Sequence, residues 1–100
     1  MDYNNPMKIF SWDADKNEWL KAHRGVSFEE VLFHIERGGL LDRLAHPNKM
    51  KYPGQHLFVV KMEDYAFVVP FVENEREIFL KTIIPSRKAT RDYLGGRPHA

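Results

Sequence analysis

Apolar positions along the chain follow two spacings, and each change of spacing marks an element. Residues 8–12, Lys-Ile-Phe-Ser-Trp, alternate enough to predict a first strand. Asp13 then opens a segment with acids at its start and Lys21 and Arg24 at its end, an order that suits a helix dipole. Trp19 and Leu20 give that helix an apolar patch, and Gly25 stops it. Residues 27–39 carry the clearest helical signal. Phe28, Val31, Leu32 and Ile35 fall on one stripe, Ser27 and Glu30 form a capping box, and Gly38 and Gly39 close the segment.

Residues 40–55 contain Pro47, Pro53 and Gly54 and read as a connection with at most a short helical turn. Three runs rich in Val, Ile and Phe follow at 56–62, 65–73 and 77–85. Their separators, residues 63–64 and 74–76, are short enough to demand antiparallel hairpins. Pro70 lies inside the middle run and cannot donate to a ladder, so it predicts a bulge or an amide facing away from a neighbour. Ser86 can cap a last helix that runs to Leu94 and stops at Gly95 and Gly96.

The expected order is β-α-α-β-β-β-α, an α+β fold with a small antiparallel sheet and helices packed on one face. A chain of 100 residues makes one domain, residues 1–100, with 1–7 and 95–100 expected to be flexible. Trp12, Trp19, Phe28 and Phe33 are the aromatic core candidates.

Composition narrows the class. With 43% hydrophobic and 29% charged residues the chain reads as a soluble globule rather than a disordered one. It has no cysteine, which removes disulfides and thiolate zinc sites. No apolar run reaches the roughly 20 residues of a membrane span, and the first residues lack the pattern of a signal peptide, so a cytoplasmic location is expected. Net charge is only +1. From Lys81 onward, however, five cations stand against Asp92 alone, a net +4, so the preceding residues carry −3. A basic end on a mildly acidic body suits an anionic partner.

Candidate chemistry follows from that asymmetry. The five histidines show no metal-binding spacing, and no cofactor or metal is expected. No phosphate-cradling glycine motif and no nucleophile elbow is present. The basic set remains. Lys81 interrupts an apolar strand, and on the last helix Arg87 and Arg91 lie four residues apart with Lys88 one step around. Such a row can hold successive phosphates, or it can be a solvated helix face.

Two stretches carry a family resemblance. Phe10, Trp12, Asp13, Lys16, Asn17 and the Gly25–Glu30 junction come first, and Arg87, Lys88, Ala89 and Thr90 come last in the same order. Together they resemble the BrnT-type toxins of bacterial toxin–antitoxin pairs. Where that family has Lys-His before the glycine, this chain has His23-Arg24, and residues 38–55 match poorly. The resemblance implies a RelE-like fold, metal-independent RNA cleavage that inhibits translation, and a ribbon-helix-helix antitoxin as partner.

Metal-free cleavage needs a base for the 2′-hydroxyl, an acid for the 5′-oxygen and cations for the charge that develops on phosphorus. Lys81 and Arg87 are the candidates for that charge, since guanidinium can grip two oxygens. Arg24 or His23 would act beside them, and an imidazole is the natural proton carrier near neutral pH. Lys21, Lys88 and Arg91 are expected to contact the RNA backbone. Glu29 and Glu30 are expected to cap their helix instead. The alternative is a non-catalytic module whose basic C-terminal face docks an acidic partner or nucleic acid.

Overall fold

The computed structural model describes residues 8–95. The flexibility expected of 1–7 and 96–100 lies outside them, whereas Gly95 is described as the cap of the last helix. The elements are β1 (Ile9–Trp12), α1 (Ala14–Arg24), α2 (Phe28–His34), β2 (Leu40–Ala45), β3 (His56–Met62), β4 (Tyr65–Glu73), β5 (Glu77–Leu80), β6 (Ile84–Pro85) and α3 (Arg87–Leu94). A π-helical turn, Ile35–Gly39, joins α2 to β2, with Gly38 at φ 91° reversing the chain.

The helices begin and end where their capping residues dictate. Asp13 accepts from the amides of Asp15 and Lys16 at 2.8 and 3.2 Å. Ser27 and Glu30 complete their capping box, and Ser86 accepts from the amide of Ala89 at 3.0 Å. Gly25 and Gly95 close α1 and α3 in the left-handed conformation. Between α1 and α2, Asn17 is a buried clasp. Its Oδ1 accepts from the Phe28 amide and its Nδ2 donates to Glu29, both at 2.8 Å. A donor that would otherwise be orphaned at the start of α2 is thereby satisfied across the helix junction.

The sheet has the order β1-β5-β4-β3-β2, with β6 also paired to β4. It differs from expectation in three ways. First, it is mixed: β1 runs parallel to β5, Ile9 opposite Glu77, and only the other pairs are antiparallel. Second, Leu40–Ala45 is a strand, paired with β3 at the sheet edge. Its Leu-Leu-Asp-Arg-Leu-Ala sequence hides it, because a register shift between Leu40 and Asp42 breaks the alternation. Third, the helices lie on both faces. Leu20, Phe28 and Val31 pack on Phe58, Val60, Val69 and Phe71, while Ala89 packs on Val59 and Ala66 across the sheet. Alternation along β3 and β4 makes this necessary, since Val59 and Val60 point oppositely. The fold is thus a small α+β domain with a mixed sheet and three helices. Among the described residues no helix is long and apolar enough to cross a membrane.

Of the aromatic core candidates, Phe28 is fully buried and Trp12 stacks on it at 5.4 Å. Trp19 and Phe33 are not core: they are 41% and 49% exposed.

Candidate functional site

The strand expected over 77–85 breaks in the middle. Phe71 pairs with Leu80 and Val68 with Ile84, so Lys81, Thr82 and Ile83 lie against only Val69 and Pro70. One extra residue is accommodated there, a bulge. Pro70 accounts for its position. The Lys81 amide donates to the Pro70 carbonyl at 2.7 Å, but proline has no N–H to return the bond. The ladder loosens, Ile83 anchors the bulge by burying its side chain completely, and Lys81 is left exposed.

The Ile83 carbonyl is taken up from elsewhere. Arg24, the last residue of α1, donates from Nη1 to it at 2.7 Å. That bond spans 59 residues and ties the end of α1 to the bulge, two positions beyond Lys81 in sequence and four before Arg87. Arg87 opens α3, whose start is itself fixed to β4. The Ser86 amide donates to the Ala66 carbonyl at 3.0 Å, and the Ala66 amide donates to Thr90 Oγ1 at 2.8 Å.

His23 lies at the same end of α1. Its ring stacks on Trp19, centroids 4.4 Å apart and planes 16° apart. Its Nδ1 is 3.0 Å from the Trp19 carbonyl. A carbonyl only accepts, so Nδ1 is the donor, and in the neutral ring Nε2 carries the free lone pair.

The other predicted contacts are placed differently. Lys88 and Arg91 both pair with Asp92, at 2.8 and 3.5 Å. The hydrogen bond from Lys88, aided by both positive charges, holds the Asp92 carboxyl below its usual value. Lys21 pairs with Glu18 at 3.1 Å, and this contact raises its ammonium above the ordinary lysine value. Lys81 and Arg87, by contrast, make no ion pair with any described residue. The structure therefore links Arg24 to the bulge that carries Lys81 and leads to Arg87, and leaves Lys21, Lys88 and Arg91 as paired surface cations. Glu30 serves as a cap and Glu29 is bonded by Asn17, which lowers its carboxyl.

Two features of this region escape a reading of the sequence. Trp19 is one, because beside Leu20 it looks like half of an apolar stripe. The Arg24 bond to Ile83 is the other, since a contact to a backbone carbonyl leaves no mark on residue type. Among the described residues no three His, Asp or Glu side chains converge as a metal site. Compared with family models, curated proteins and solved structures, the chain matches none.

Proposed function

We propose that this protein is a small endoribonuclease toxin of the BrnT type, with a RelE-like active face, which cleaves RNA without a metal ion and is neutralised by a ribbon-helix-helix antitoxin. The observation that carries this reading is the Arg24 guanidinium on the Ile83 carbonyl, because it ties the residue just before the Gly25–Glu30 junction to the backbone four residues before Arg87. In that arrangement Arg24 is hydrogen-bonded to the stretch that carries Lys81 and leads into Arg87, and none of the three cations has a described counter-ion.

The chemistry uses the nucleophile that RNA supplies. His23 Nε2 takes the proton of the 2′-hydroxyl, and the alkoxide attacks the adjacent phosphorus. The bond to the 5′-oxygen breaks, that oxygen gains a proton from solvent, and a 2′,3′-cyclic phosphate remains. Lys81 and Arg87 balance the charge that builds on the phosphoryl oxygens, where fixed cations matter most. Arg24 contributes charge and holds the bulge in place.

The test is cleavage of a structured RNA by the purified protein in EDTA. Cleavage should persist and leave 2′,3′-cyclic or 3′-phosphate ends. Activity lost to chelator and restored by a divalent ion would refute the mechanism. RNA bound without cleavage would favour the binding-module alternative. Growth arrest on expression, relieved by a short ribbon-helix-helix protein encoded beside it, would support the toxin assignment.

A further inference from the structure

We infer that Trp19, with His23 stacked on it, forms a platform for one nucleobase of a single-stranded RNA. The inference rests on the ribonuclease reading for its ligand, and it adds a subsite where the strand is held.

Helix α1 buries Asn17 and Leu20 and turns Trp19 outward, 41% exposed. A large aromatic ring in water is unfavourable unless something covers it, and what surrounds this one is polar and positive. Lys16 Nζ lies 4.8 Å from the ring centroid, Arg24 Cζ 5.3 Å, and the His23 imidazole is parallel to it at 4.4 Å. An indole ringed by two permanent cations and an imidazole matches the two halves of a nucleotide. The flat π surface suits any base, and the cations suit its phosphates. Cation–π contacts at an exposed site are weak, so a base can displace the flexible Lys16 side chain and leave its ammonium free for a phosphate. Arg24 is shared: the guanidinium that flanks the indole also bonds Ile83 in the bulge. A base on Trp19 therefore lies one side chain away from the cations assigned to the scissile phosphate, and beside the His23 nitrogen assigned as base.

The molecule contains its own control. Phe33 on α2 is more exposed than Trp19, at 49%, and has Arg37 over its ring at 4.5 Å. It has one cation rather than two, its neighbour His34 meets it edge-on, and no described bond ties it to the bulge.

The experiment measures binding of the full chain to a 2′-O-methyl hexanucleotide, which cannot be cleaved, and to an abasic oligomer of equal length and charge. The parent should prefer the base-bearing oligomer about tenfold, the scale of one base stacked on an aromatic ring. Trp19→Ala should bind both oligomers alike, Trp19→Phe should keep most of the preference, and Phe33→Ala should keep all of it. Equal binding of the two oligomers by the parent, or no binding, overturns the inference. So does a preference that survives in Trp19→Ala. Because neither oligomer is a substrate, failure of the ribonuclease reading shows up separately, in the EDTA assay, and leaves this measurement readable.

Discussion

Two groups of cations meet near Ser86: Lys88 and Arg91 on the body of α3, and Arg24, Lys81 and Arg87 around the bulge that precedes it. On α3, Lys88 and Arg91 share the single carboxylate of Asp92. Around the bulge, Lys81 stands on backbone to which Pro70 can return no hydrogen bond, Arg24 is bonded to a carbonyl rather than a carboxylate, and Arg87, which opens α3, has no described counter-ion. The difference is one of geometry. Lys88 meets Asp92 because side chains four apart on a helix face one another, whereas Lys81 in the bulge and Arg87 at the start of α3 have no described acid as partner. Unmatched positive charge held by rigid backbone is what a phosphate can use.

The sharpest way to break this comparison is a pair of alanine variants in adjacent positions. Arg87→Ala should lower RNA cleavage on the order of a hundredfold, the loss expected when one preorganised donor is removed, with an unchanged melting temperature. Lys88→Ala removes the same charge and should cost no more than about twofold, because exposed pairs contribute little. Arg87→Lys should recover part of the activity, since a point charge lacks the two-pronged grip. Equal losses in the two alanine variants would erase the distinction.

Next in size is the clasp that holds α1 in place. Asn17→Ala leaves the Phe28 amide buried without its acceptor and should cost about 2 kcal/mol in denaturant unfolding. Loss of less than about 0.5 kcal/mol would show that water replaces the side chain. Arg24→Ala should cost about 1 kcal/mol through the bond to Ile83 and should reduce cleavage by more than its stability loss explains. A variant that is destabilised yet fully active would reduce Arg24 to a structural tie.

The smallest effect concerns a third charged cluster, at the far end of β4, where Glu73 pairs with Lys8 and Arg43. The hydrogen bond from Lys8, followed by the Arg43 contacts, holds its carboxyl below the ordinary value of 4.5. A depressed folded value means the stabilisation is fully present above about pH 4.5 and is lost as pH falls further. Melting temperature should decline less below that pH in Glu73→Gln than in the parent, with cleavage at pH 7 the same in both. An identical acid profile would show that the cluster adds nothing to stability.

What the sequence disclosed follows from which features are local. Asp13, Ser27 and Ser86 announce their helices because capping is settled within three residues. Pro70 marks a weak point in the ladder because a missing N–H is a property of one residue, but the extra residue falls in 81–83 of the neighbouring run while β4 itself is unbroken. The parallel pairing of β1 with β5 left no such trace, because partners 68 residues apart, Ile9 and Glu77, are chosen by the whole chain. The edge strand β2 was hidden by its register shift, and its exposed positions imposed no apolar alternation. Within the candidate site, the residue types were legible and their grouping was not. The pairing of Lys88 with Asp92 could be read from their four-residue spacing, but whether Arg24 meets Ile83 depends on packing that residue type does not encode.

The claim that Arg24, Lys81 and Arg87 around the bulge, rather than the Lys88 and Arg91 face of α3, receive the phosphate can be tested without any turnover. The 15N-labelled protein would be titrated with a 2′-O-methyl oligonucleotide while backbone amides and arginine Nε–H signals are followed. The amides of Lys81, Thr82 and Ile83 and the Nε–H signals of Arg24 and Arg87 should shift together, with Arg91 and Asp92 little moved. Shifts centred on Arg91 and Asp92, with the amides of Thr82 and Ile83 unmoved, would contradict it.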